Sequence, residues 1–129
     1  MRVWFYAVTI STLFAVSACG GDTSPAEACS DLDDVACEKI LQCYTAEQLM
    51  QLGVSNADEC IAAREDDRMR RTGLTCSQFT EQENDCDSGE KYNTDKASSC
   101  RDTIESLSCE DWLVTPRPGD CTLICETTQ

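Results

Sequence analysis

The chain has no histidine among its 129 residues. That one absence removes Ser–His and Cys–His nucleophilic pairs and every zinc site that needs an imidazole ligand. No Cys-x-x-Cys occurs, which excludes a thioredoxin-like redox pair. Cations are scarce: 10 Lys and Arg face 24 Asp and Glu, for a formal net charge of −14. Such a balance argues against nucleic acid as a partner, because a phosphate backbone wants a basic patch, and it opposes electrostatic docking on an anionic membrane. No Gly-rich phosphate loop is present. Large apolar side chains are few after Cys19, with 8 Leu, 4 Ile, 3 Val and 1 Phe in 111 residues. That falls below the roughly 20% which, with high net charge, marks chains that cannot bury enough surface to fold.

Ten cysteines after Cys19 reverse that expectation: Cys29, Cys37, Cys43, Cys60, Cys76, Cys86, Cys100, Cys109, Cys121 and Cys125. This is the density of a disulfide scaffold. Each cross-link removes unfolded-chain entropy worth about 2–4 kcal/mol and so substitutes for a large core.

One apolar run stands apart. Residues 3–16 follow a single cation, Arg2, and are about as long as a signal-peptide core, shorter than the roughly 20 residues of a spanning helix. The run ends in Val16-Ser17-Ala18-Cys19-Gly20. Val16-Ser17-Ala18-Cys19 resembles the lipobox of bacterial lipoproteins: an aliphatic residue, two small residues and a cysteine. The resemblance implies cleavage before Cys19, acylation of its thiol and, with Gly20 rather than Asp following, an outer-membrane destination. Several acyl chains on one residue suffice for stable anchoring, at about 0.8 kcal/mol per buried methylene. Parity agrees, since an acylated Cys19 leaves ten cysteines, all able to pair. The alternative is an ordinary secretory leader cut at the same bond. Cys19 would then be an odd thiol and the protein a soluble, secreted, disulfide-rich binder.

The expected organisation is a signal peptide over 1–18, a lipidated cysteine and flexible tether over 19–24, and one disulfide-rich domain over 25–129. Within the domain, Ser24-Pro25-Ala26-Glu27 reads as a capped helix start. Ala28, Leu32, Val35, Ala36, Ile40 and Cys43 make one apolar stripe as far as about Tyr44, with Asp31, Asp33, Asp34 and Glu38 expected to face water. Thr45 and Gln48 form a second capping box, and Gly53 closes a short helix. A third helix starts at Ser55-Asn56 and ends in Arg68, Arg70 and Arg71 before Gly73. There Asp66–Arg70 and Asp67–Arg71 are spaced as ion pairs, and the cluster reads as a solvated helix end. Thr75 caps a turn through Phe79, Asp85–Gly89 is a loop, Thr94-Asp95 opens another helix, and Ser108 restarts it into Trp112, Leu113 and Val114. Pro116, Pro118 and Gly119 forbid further helix. No stretch alternates as a strand does. The expected fold is all-α: a small, disulfide-stapled domain of about four short helices.

No chemistry is singled out. Asp85-Cys86-Asp87-Ser88-Gly89 is a poor calcium loop, with its glycine one place early and Lys96 where a bidentate Glu belongs. Thiolate metal binding requires reduced cysteines, which an oxidising compartment disfavours. With 24 acids, no carboxylate pair is distinguished for acid–base work. The expectation is therefore no enzyme, no metal and no cofactor. Trp112, Leu113, Val114 and Tyr92 are the candidate interface for an envelope protein. The second reading is a small-molecule or divalent-cation binder using the acidic surface.

Two further passages, Cys29 to Cys43 and Ser99-Cys100 through Cys109-Glu110-Asp111 to Cys121 and Cys125, are similar to the opening and closing segments of small cysteine-rich bacterial lipoproteins. That family is largely without assigned activity, so the resemblance implies an address and an architecture, not a reaction. The pairing is open among about 945 arrangements. Helix spacing favours links from the first helix to its successors, Cys43 with Cys60 among them.

Overall fold

The computed structural model describes residues 22–127; the leader and Cys19 lie outside them. Five α-helices follow in order: α1 Pro25–Cys43, α2 Ala46–Leu52, α3 Ala57–Thr72, α4 Thr94–Ser106 and α5 Cys109–Val114. Local chemistry sets each start. The Ser24 hydroxyl accepts from the Glu27 amide, while the Glu27 carboxylate accepts from the Ser24 amide. Thr45 and Gln48 do the same for α2. Asn56, Asn93 and Ser108 cap α3, α4 and α5, satisfying amides that have no partner inside the helix. Gly53 and Gly73 end α2 and α3 at φ of 68° and 74°, the left-handed region that disfavours a Cβ.

The organising element is α1, which packs against α3, α4, α5 and the 3₁₀ turn Cys76–Gln78. Its stripe is inside as expected, with Ala28, Val35 and Ala36 buried and Leu32 and Ile40 half-buried. Three disulfides radiate from it: Cys29–Cys76, Cys37–Cys60 and Cys43–Cys109. Cys100–Cys121 ties α4 to a second 3₁₀ turn, Gly119–Leu123, and Cys86–Cys125 closes the C-terminal end. All ten cysteines of the domain are paired. Lys39 is buried on α1 and donates from Nζ to the carbonyl of Leu107, the cap residue of α4. It thereby brings a cation to a helix C-terminus whose own last turn has none.

Three expectations need correction here. The link from α1 to α3 uses Cys37, not Cys43. The chain doubles back through α2, so Cys60 comes level with a position about 9 Å earlier along the α1 axis. Cys43, six residues on, faces another side and meets Cys109 instead. The fold also contains two strands, β1 Glu90–Tyr92 and β2 Cys125–Thr127, antiparallel with Tyr92 opposite Cys125. At three residues each they are too short to show alternation, and the Cys86–Cys125 bridge sits beside them. Lastly, Gly119 opens a 3₁₀ turn where only irregular chain was expected; Pro118 precedes it as the cap, where its missing N–H costs nothing.

Candidate functional site

A half-open cavity of about 860 Å³ lies beside α1, within the roughly 300–1,000 Å³ of small-molecule sites. Leu32, Ala36 and Ile40 of α1 contribute to its lining, with Ala63, Arg64 and Arg68 of α3 and Trp112, Arg117 and Ile124 from the C-terminal third. It exists because the core is not one mass. Three separate clusters of buried residues gather around α1. Leu32 and Ile124 touch the first two, and Ile40 touches the second and third.

One end is built on a buried charge. Asp33 is 2% exposed, correcting the expectation that it faces water. It shares its stripe with Cys29 and Cys37, each four residues away, and the disulfides that draw those cysteines against their partners turn Asp33 inward too. Its carboxylate accepts from Arg68 Nη2 at 2.7 and 2.8 Å and from Arg64 Nε at 2.6 Å. Arg68 Nη1 also reaches Glu65 at 2.8 Å, and both oxygens of that carboxylate accept from the Cys76 amide. The Cys76 sulfur lies 3.5 Å from Asp33, but in a disulfide it has no proton to donate. Two cations and two anions thus balance. Burial pulls the Arg68 guanidinium down, yet Asp33 and Glu65 outweigh it and hold it above its ordinary value.

This also corrects the reading of the arginine cluster as wholly solvated. Arg68 is 5% exposed; only Arg70 and Arg71 are open to water. Arg71 pairs with Asp67 at 2.9 Å as spaced, whereas Arg70 lies 3.9 Å from Asp67 rather than pairing with the Asp66 carboxylate.

Phe79 links this end to the strands. The Arg68 guanidinium lies 5.6 Å from the Phe79 ring centre, and Tyr92 meets the same ring edge-on at 5.6 Å and 72°. Burial, then the negative charge of Asp85, pushes the Tyr92 phenol well above its ordinary value. Among the described residues, three buried side-chain polar atoms have no hydrogen-bond partner: Arg68 Nε, Tyr92 Oη and Trp112 Nε1. All three belong to residues lining this cavity.

The interface residues expected from sequence divide. Tyr92 and Trp112 are each 5% exposed and belong to different core clusters, so they form no surface patch. Burial of their large rings outweighs exposure in a chain this poor in aliphatic residues. Leu113 and Val114 do face solvent, at 48% and 79%. Asp33 and Arg68 escaped sequence reading. The available signal was the Cys29–Asp33–Cys37 spacing, which puts an acid between two residues destined for the interior.

Two sets of metal-ligating side chains converge among the described residues, Cys29/Asp33/Cys76 and Cys86/Glu90/Cys125. In each the two cysteines are joined to one another, so neither offers the thiolates that a metal requires. No described helix is long and apolar enough to cross a membrane. Compared with family models, curated proteins and solved structures, the chain matches none.

Proposed function

We propose that this protein is an exported, lipid-anchored binding module without enzymatic activity, held at the outer membrane through Cys19. The observation that carries the reading is the complete pairing of Cys29 to Cys125 in five disulfides. Such a framework belongs to an oxidising compartment, and it leaves Cys19 as the one cysteine outside it. Pro25 starts α1 six residues after Cys19, which holds the domain within about 20 Å of the acyl chains. The case against an enzyme is chemical: there is no histidine, the domain cysteines are consumed in disulfides, and Asp33 is neutralised by two arginines.

Fractionating cells that express wild type and Cys19→Ala tests the reading. Wild type partitions with the membranes and labels with radioactive palmitate, while Cys19→Ala does neither. Equal membrane partition of both would remove the anchor. A protein partner at the α5 end is a second reading, favoured by the exposure of Leu113 and Val114. Loss of a co-purifying protein in Leu113→Ser/Val114→Ser would support it, and identical partners would dismiss it.

A further inference from the structure

The three buried donors without partners all belong to the walls of one cavity, and this concentration defines a ligand. Arg68 Nε and Trp112 Nε1 can only donate, and the Tyr92 hydroxyl has its own proton to give. What satisfies them is therefore an acceptor. Arg68 and Tyr92 flank Phe79 in one core cluster, while Trp112 belongs to another. Between the two clusters lie apolar side chains, Leu32 and Ile124, that touch both. The lining thus has donors at two places separated by hydrocarbon.

Charge narrows the class. Arg68 is already balanced by Asp33 and Glu65, Arg71 by Asp67, and Asp85, Asp87 and Glu90 also line the cavity. In a chain of net charge −14, a carboxylate or phosphate entering there meets repulsion without a free cation at the Tyr92 end. Arg117 also lines the cavity and makes no ion pair among the described residues, but it is exposed, so water and salt screen its charge.

We propose that the cavity binds a neutral, elongated, apolar molecule that carries a hydrogen-bond acceptor near each end, one received by Arg68 and Tyr92 and the other by Trp112. The three donor atoms are shielded from bulk water, so binding turns their side chains slightly toward the ligand. The inference specifies what the binding module proposed above would hold. It is tested in solution, so failure here leaves the membrane anchor standing, and loss of the anchor leaves this site standing.

The test uses the oxidised mature chain, residues 19–129, with Cys19→Ala to leave the acyl chains off; Trp112 is its sole tryptophan. The probes are methyl ω-hydroxydodecanoate, its free carboxylate and methyl dodecanoate, followed by Trp112 fluorescence and titration calorimetry. The neutral hydroxy-ester should bind saturably at one site. Its carboxylate should bind about tenfold more weakly, and methyl dodecanoate, lacking one acceptor, about three- to tenfold more weakly. Tyr92→Phe should weaken the hydroxy-ester by a similar factor without lowering Tm, because it removes a buried hydroxyl that has no partner in the free protein. Ala63→Phe, which fills the cavity from an exposed helix position, should abolish binding while the fold persists. The proposal is overturned if the hydroxy-ester gives no saturable response, if the three probes bind equally, or if Tyr92→Phe and Ala63→Phe both bind as wild type does.

Discussion

Asp33 shows how one side chain decides the character of its surroundings. A buried carboxylate costs several kcal/mol in desolvation, and it is tolerated because Arg64 and Arg68 from α3 both reach it. The ion pair joins the same elements as the neighbouring Cys37–Cys60 bridge. Removing one partner is worse than removing both, since the remainder is a buried unpaired charge. Asp33→Asn should therefore destabilise the oxidised protein by about 3–5 kcal/mol, read from chemical denaturation, with Glu65 as the one anion left to the cluster of Arg64 and Arg68. Asp31→Asn, at a half-exposed position whose partner Arg101 is 3.4 Å away, should cost well under about 1 kcal/mol. Equal effects at 33 and 31 would show that the buried pair has no special weight. The identity of Asp33 as a core residue was visible only in its spacing from Cys29 and Cys37; composition and charge pattern argued the other way.

The elements divide into those written locally and those that need distant partners. The starts of α1, α2, α3 and α5 were legible, because Ser24, Thr45, Asn56 and Ser108 each precede a helix with its capping partner in reach, and because the apolar stripe of α1 keeps its period over nineteen residues; α4 was expected from Thr94-Asp95, and its cap is Asn93, just before. The disulfide pairing was legible only as a preference for α1. Which cysteine faces which depends on how far α2 carries the chain back. The β1–β2 pair was illegible, since three-residue strands have no periodicity and their partners lie more than thirty residues apart. The cavity was illegible for the same reason, its walls being drawn from α1, α3 and the C-terminal third. If the strands depend on their bridge, the double substitution Cys86→Ala/Cys125→Ala should remove about 3–4 kcal/mol of stability, from the loop-closure entropy of a link 39 residues long. Amide exchange should speed up at residues 90–92 and 125–127 and stay slow in α1. Undiminished protection at the strands would mean that hydrogen bonding and the packing of Tyr92 suffice without the bridge.

At the scale of the whole molecule, a chain too poor in aliphatic residues to fold by burial is held by links radiating from one helix. Its three small clusters replace a single core, and the space between them becomes the cavity. The same scarcity explains why Trp112 and Tyr92, candidates for an interface on sequence alone, are inside: the domain uses its few large rings for its own packing. What remains outside is largely acidic, with Leu113 and Val114 at the end of α5, and Met50 and Leu52 on α2, among the exposed apolar side chains.

The central claim is that ten cysteines build the domain and the eleventh anchors it. Intact-mass spectrometry of the protein purified from membranes, before and after reduction, tests this most directly. The account predicts a chain beginning at an acylated Cys19 that gains ten hydrogens on reduction, five disulfides' worth. An unmodified Cys19, either free or joined to a second chain, or free thiols among the other ten, would contradict it.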